Sequence, residues 1–201
     1  MEYFSLNYNA RDVGFLEAVT KGLAPDRGLY FPKQIPKLEQ DFIDNLDQYS
    51  DHEIAYEVIQ QYVGEDISSN DLKKIIQDTL SFNFPIIEIT DKIALLELFH
   101  GPTLAFKDVG ARFMARCLSY NNDTKKEGNL TILVATSGDT GGAVADGFYK
   151  VKGIDVIILY PKGKVSDIQE RQLTTLGENI SALEVDGTFD DCQEMVKSAF
   201  V

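Results

Sequence analysis

From Leu130 onward the chain alternates strand-like and helix-like stretches about every 25 residues, and no other feature limits the fold as tightly. Apolar runs at 130–135, 155–160 and 180–185 are each followed by a helical pattern, at roughly 140–150, 167–176 and from Phe189 onward. A strand–helix–strand order joins parallel strands through covering helices, so the pattern predicts an α/β architecture around a parallel sheet. The helix starts carry their own marks. Ser166 with Gln169 forms a capping box, and Thr188 with Asp191 a weaker one. Gly177 is the expected C′ residue of the second helix. The last helix, with Cys192, Met195, Val196 and Ala199 on one face, meets no stop signal before Val201, so the chain reads as the front part of a longer protein.

The first 85 residues have a different rhythm. Asp12 is the expected cap of a short helix with Phe15, Leu16 and Val19 on one face, stopped by Gly22. The turn formers at 22–32 predict an ordered loop. Ser50 and Glu53 form a capping box, and Ile54, Ala55, Val58, Ile59, Tyr62 and Val63 make an apolar stripe behind it. A further helix is expected over 69–80, with Leu72, Ile75, Ile76 and Leu80 inward. Residues 85–98 then read as a hairpin turning at Asp91-Lys92. The expected organisation is a helical cap over 1–85, the start of a lysine-bearing domain over 86–128, and a smaller α/β domain over 129–201.

Charge and cysteine content narrow the function classes. Net charge is −13, which argues against nucleic acid and anionic membranes as partners. Eleven acids against Lys73 and Lys74 between Glu39 and Asp78 account for −9 of it, so a local basic pocket for a small anion is compatible with the rest. Cys117 and Cys192 each fall in a helical pattern and form no Cys-x-x-Cys pair, as buried thiols in a reducing compartment would; no metal site is expected. The first residues lack a basic and an apolar region of the signal-peptide kind, and no apolar run reaches membrane length. The expectation is a soluble, cytoplasmic protein.

Three stretches carry chemistry. In Phe99-His100-Gly101-Pro102-Thr103-Leu104-Ala105-Phe106-Lys107-Asp108, an apolar strand-like run (93–99) empties into a turn, and a helix opens near Lys107 with Val109, Phe113 and Met114 on its apolar side. A lysine held partly out of water presents a neutral, nucleophilic amine, as Schiff-base chemistry requires; a snorkelling lysine on a first helical turn is the alternative. In Ala135-Thr136-Ser137-Gly138-Asp139-Thr140-Gly141-Gly142, small residues let the backbone approach a ligand, and helix N-terminal amides would face an anion. Tight packing is the alternative there. The stretch matches neither Gly-x-Gly-x-x-Gly nor a P-loop. In Tyr160-Pro161-Lys162-Gly163-Lys164-Val165-Ser166, two lysines and a hydroxyl gather at a strand's carboxyl end, where open α/β sheets bind ligands. A phosphate would fit, as would an ordinary solvated turn.

Taken together and in order, these stretches, with Leu176-Gly177 and the 22–32 pattern, resemble the threonine synthase family. That family belongs to the fold-type II pyridoxal-phosphate enzymes, the group of the tryptophan synthase β subunit. The resemblance spans nearly the whole chain. It implies a helical N-terminal cap followed by open, mostly parallel sheets of the fold-type II fold, truncated here. It implies pyridoxal 5'-phosphate held as an internal aldimine on Lys107, beside Phe106. Ser137, Gly138, Asp139 and Thr140 would grip the substrate carboxylate and the cofactor ring, and Lys162, Lys164 and Ser166 would lie near the substrate phosphate. Relatives in the wider group more often have Asn where Asp139 stands. An ionised Asp cannot donate to the cofactor's phenolic oxygen, so Asp139 must share a proton there or point elsewhere. The Asp form is similar to a subgroup of bacteria and fungi.

The implied reaction converts O-phospho-L-homoserine and water to L-threonine and phosphate, the last step of threonine biosynthesis. The substrate amine displaces Lys107, whose freed amine becomes the base for the α-proton. Loss of a β-proton allows elimination of the γ-phosphate, and water adds at the β-carbon. Lys162 and Lys164 would have to outweigh the acidic bulk at short range. The family's cofactor-phosphate loop and the partner of the pyridine nitrogen would lie beyond Val201, so residues 1–201 alone are expected to be inactive. Another phospho-lyase of the same fold, or a non-catalytic anion-binding α/β module, are the competing readings. Unpaired sheet edges would favour self-association.

Overall fold

The structure, a computed structural model, describes residues 1–125 and 128–199; the expected run of the last helix to Val201 lies outside the described residues. The chain divides into two compact units, Met1–Leu80 and a second from Ser81.

In the first unit β1 (Tyr3–Ser5) pairs antiparallel with β2 (Tyr30–Pro32), and α1 (Phe15–Lys21) lies between them in sequence. Three-residue strands carry too little alternation to be read, so only the ordered loop was visible in the sequence. Asp26 orders that loop: its carboxylate accepts from the Ser5 hydroxyl at 2.6 Å and from the Asn9 N–H at 2.8 Å. Gly22 ends α1 as expected, but the cap is not Asp12. Gly14 occupies the N-cap position, and Asp66 reaches across 50 residues to accept the Leu16 N–H at 2.9 Å. Asp12 is instead paired with Lys33. A short α2 (Gln40–Asp44) buries nothing, whereas α3 (Asp51–Val63) begins with the Ser50–Glu53 capping box fully formed. In α4 (Ser69–Thr79), Leu72, Ile75 and Ile76 are buried, as the spacing predicts. The α3 stripe is less covered: Val63 is buried and the other five residues are half-buried.

The second unit opens with the predicted hairpin, β3 (Ile86–Thr90) against β4 (Ile93–Leu96). The second strand stops at Leu96, short of Phe99; its last rung is the Glu97 N–H on the Pro85 carbonyl at 3.0 Å. After α5 (Asp108–Lys125) come β5 (Leu130–Ala135), α6 (Asp139–Phe148), β6 (Ile154–Pro161), α7 (Asp167–Thr174), β7 (Ile180–Val185) and α8 (Phe189–Ser198). The three strands form a parallel sheet in the order β5-β6-β7, so the α/β prediction holds. Central β6 buries all its residues except Asp155 and Ile157, and Phe148, Leu173 and Cys192 close the core around it. Both cysteines are buried free thiols, and burial pushes the Cys117 thiol up to about 12. Among the described residues no helix is long and apolar enough to cross a membrane.

Two helix faces differ from expectation. On α5 the buried side is Ala111, Ala115 and Leu118, and Val109, Phe113 and Met114 are only half-buried. The helices pack closely there: a methyl group on Gly147 of α6 would meet the Ala111 carbonyl carbon at 3.1 Å, so residue 147 has little room for a side chain against the α5 backbone. On α8 only Cys192 is buried; Met195 and Ala199 are exposed. The Thr188–Asp191 box is complete, both of its bonds being present. Gly177 does take positive φ (63°), but α7 ends at Thr174, so the glycine belongs to the connection and not to the C′ position.

The connection from α6 to β6 is tied together by one distant side chain. Asn179 Nδ2 donates to the Phe148 carbonyl at 2.9 Å and to the Ile154 carbonyl at 2.8 Å, and its Oδ1 accepts the Lys150 N–H at 2.8 Å. Replacing it with alanine removes three hydrogen bonds, although the Phe148 carbonyl keeps the Val151 N–H at 3.0 Å. Asn179→Ala is expected to cost about 2–3 kcal/mol in urea denaturation.

Candidate functional site

Three loops meet at the carboxyl ends of the sheet. The loop between β4 and α5 ends in Lys107, whose carbonyl accepts the Ala111 N–H at 3.0 Å, so the lysine stands at the loop-to-helix junction as predicted. The loop from β5 to α6 is built on Thr136. Its buried hydroxyl oxygen accepts the N–H of Gly138 at 3.0 Å and of Gly141 at 2.8 Å. Gly138 is the N-cap of α6 with φ 143°, and a side chain there would overlap Gln169 of α7. The third loop, from β6 to α7, ends in the Ser166–Gln169 capping box.

These loops bring Lys107 and Asp139 together. Lys107 Nζ donates to Asp139 Oδ2 at 2.6 Å and lies 4.5 Å from the centre of the Phe106 ring. The other carboxylate oxygen, Oδ1, accepts the Thr140 N–H at 2.8 Å. The Lys107 hydrogen bond holds the Asp139 carboxyl below the usual carboxylate range, with the Thr140 N–H adding to it. Asp139 thus bridges an ammonium and a helix N-terminal amide, the place an incoming anion would take. Beside the pair lies a cleft of about 480 Å³ whose walls include Phe106, Asp139, Thr103, Ser166, Gln169 and Gln172.

The expected site residues are not gathered equally. Lys107, Phe106, Asp139 and Ser166 stand at the cleft or in contact with it. Ser137 is exposed in the turn, Gly138 is buried against Gln169, and Thr140 is half-buried in the first turn of α6. The amides of that turn are less available to an anion than the sequence suggests, since those of Gly138, Thr140 and Gly141 already have partners. Ser166 spends its hydroxyl on the cap, accepting the Gln169 N–H at 3.4 Å. Lys162 and Lys164 are exposed and do not line the cleft; the Lys162 amine lies 4.0 Å from Glu184 Oε2. Gln169, Gln172 and Thr103 were not singled out as site residues. The signal was the i, i+3 spacing of two glutamines on the first turns of a helix that starts at a strand's carboxyl end.

The Lys107–Asp139 pair has a definite pH signature. Asp139 titrates lower in the folded chain, so its contribution to stability is present above the ordinary carboxylate range and lost as pH falls through the depressed value. The two side chains are 33% and 43% exposed, and solvent screening keeps the pair below about 1 kcal/mol. Urea melts are expected to separate Asp139→Asn from the parent slightly at pH 7, with the difference shrinking below about pH 4.

Comparisons with known proteins agree with this geometry. Residues 2–80 match the family profile described as threonine synthase N terminus, and residues 85–200 that of pyridoxal-phosphate dependent enzymes. A threonine synthase from Buchnera aphidicola (subsp. Baizongia pistaciae) is 47% identical over 201 residues, which is all of this chain and 46% of that protein. The crystal structure of threonine synthase from Escherichia coli superimposes with a TM-score of 0.91 at 40% identity, covering 100% of this chain and 46% of that one. A pyridoxal-phosphate-bound threonine synthase from Brucella melitensis gives 0.90 at 39% identity, over 100% and 44%. The chain therefore spans a little under half the length of the relatives it matches. With a threonine synthase N terminus ahead of the lysine-bearing α/β unit, the chain belongs to the pyridoxal-phosphate dependent enzyme family, in its threonine synthase branch.

Proposed function

We propose that this chain is the lysine-bearing part of a threonine synthase, which converts O-phospho-L-homoserine and water to L-threonine and phosphate. The observation that carries the reading is the Lys107–Asp139 pair beside a cleft at the carboxyl ends of a parallel sheet. The residues present fit pyridoxal phosphate. Lys107 offers a partly exposed amine, Phe106 an exposed ring, and the cleft has room for a substituted pyridine with an amino acid beside it. Bound there, the cofactor supplies an electron sink for the substrate's carbon skeleton.

The chain's own residues do the rest. Lys107 holds the cofactor and, once displaced by the substrate amine, moves the proton at the substrate α-carbon. Asp139 holds the lysine's amine while it is free, and in turning aside it releases both that amine and the Thr140 N–H toward an anion. Ser137, Gly138 and Thr140 serve the substrate carboxylate. Lys162, Lys164 and Ser166 serve its phosphate by drawing the anion toward the strand ends, since an acidic chain needs a local positive field to admit it. Residues 1–201 alone do not complete the site. The same reading makes the protein cytoplasmic, with a small-molecule substrate, no nucleic-acid or membrane partner, and self-association through the sheet edges.

The test uses the full-length protein. Reduction with borohydride after adding pyridoxal phosphate is expected to leave the cofactor's mass on the peptide containing Lys107. Lys107→Ala is expected to abolish that attachment and to slow phosphate release from O-phospho-L-homoserine by about a thousandfold. Phosphoserine and phosphoethanolamine are expected to be poor substrates. Parental turnover in Lys107→Ala would remove the assignment.

A further inference from the structure

The loop ahead of Lys107 is folded around a carboxylate that the proposed reaction does not use. Asp108, the first residue of α5, is 1% exposed. Its Oδ2 accepts the Thr103 N–H at 3.0 Å, and its Oδ1 accepts the Thr103 hydroxyl. The same carboxylate occupies the space that a side chain on residue 101 would need, so only glycine is compatible with it. Inside the closed loop Leu104 takes φ 61°, uncommon for leucine, and its N–H bonds to the Gly101 carbonyl at 3.1 Å. The Asp108 N–H bonds to the Ala105 carbonyl at 3.0 Å.

Thr103 also faces the other way. Its carbonyl accepts Gln172 Nε2 of α7 at 3.3 Å. One turn earlier on α7, Gln169 lies against Gly138, the residue that precedes Asp139. The contacts thus run from Asp108 through Thr103 to Gln172, along α7 to Gln169, and through Gly138 to Asp139, which holds Lys107. Asp108 itself does not line the cleft.

We propose that Asp108 is the positioning residue of this site: by closing the Gly101–Thr103 turn it sets Lys107 against Asp139, and through Thr103 and Gln172 it keeps that loop in register with α7 across the cleft. Its consequence for the cofactor rests on Lys107 being the cofactor lysine; the positioning itself does not.

The test separates the two. The full-length protein is reductively methylated with formaldehyde and cyanoborohydride, and mass spectrometry follows Lys107 relative to Lys152, an exposed lysine outside these loops. In the parent Lys107 reacts more slowly than Lys152, because its amine is engaged. Thr103→Val keeps the backbone N–H but loses the hydroxyl, and is expected to raise the Lys107-to-Lys152 ratio about fivefold, the factor one hydrogen bond is worth. Asp108→Asn raises it at least as much, and Thr103→Ser keeps the parental ratio. Melting curves identify any variant that has unfolded globally; Thr103→Val, the milder change, decides the matter if Asp108→Asn does not fold. With pyridoxal phosphate and borohydride in place of formaldehyde, the same variants trap less cofactor on Lys107. An unchanged ratio in folded Thr103→Val overturns the assignment. If the parent takes up no pyridoxal phosphate while the methylation ratio still moves, the cofactor reading falls and the positioning role of Asp108 stands.

Discussion

The second unit depends on one strand being held from both sides. β6 pairs in parallel with β5 and β7 and buries Ile154, Val156, Ile158 and Leu159, each worth about 2 kcal/mol of apolar burial. That pairing sets Ala135 opposite Leu159 and Val185 opposite Pro161, so the three strands deliver their loops to one end. The Lys107–Asp139 pair, half in solvent, adds less than any one of those side chains. The sheet carries the pair; the pair does not hold the sheet.

Where strands end, backbone groups lose their ladder partners, and this chain meets the need with single polar side chains. Thr136 takes two N–H groups of the turn into α6, Asn179 takes three groups from the end of α6 to the start of β6, and Asp108 takes the turn ahead of Lys107. Each is a short side chain with oxygen or amide atoms close to the backbone, the kind that competes well for local hydrogen bonds. Because Thr136 and Asp139 already occupy the amides at the start of α6, that end of the helix is not an open anion site. In the proposed reaction an anion would have to displace Asp139, which would couple its arrival to the release of Lys107.

Much of this was legible in the residues. The spacing of apolar runs located all three parallel strands and the hairpin, and Ser50, Ser166 and Thr188 marked their helix starts. The misses share a cause. Asp12 suits a cap by its neighbours in sequence, yet it is Asp66, 50 residues beyond Leu16, that accepts the Leu16 N–H. The inward face of α5 differs from the pattern because α5 and α6 come close at Ala111 and Gly147, which turns Ala111, Ala115 and Leu118 inward and leaves the larger Val109, Phe113 and Met114 half-buried. Lys162 and Lys164 stand in the exposed turn after β6, and the cleft wall there is formed by Gln169 and Gln172, so the service proposed for the two lysines is one of local field and not of contact.

By itself the sequence determined the order and kind of the longer elements, though not the short β1, β2 and α2, and the position of Lys107 at a loop-to-helix junction, because periodicity, caps and turn residues act over a few residues. Only the tertiary structure decided which side chains meet: Lys107 with Asp139 across 32 residues, Thr103 with Gln172 across 69, and Phe148 with Asn179 across 31. Local pattern carries no information about such pairings. They follow from sheet register and helix packing, which exist only once the core around β6 has formed.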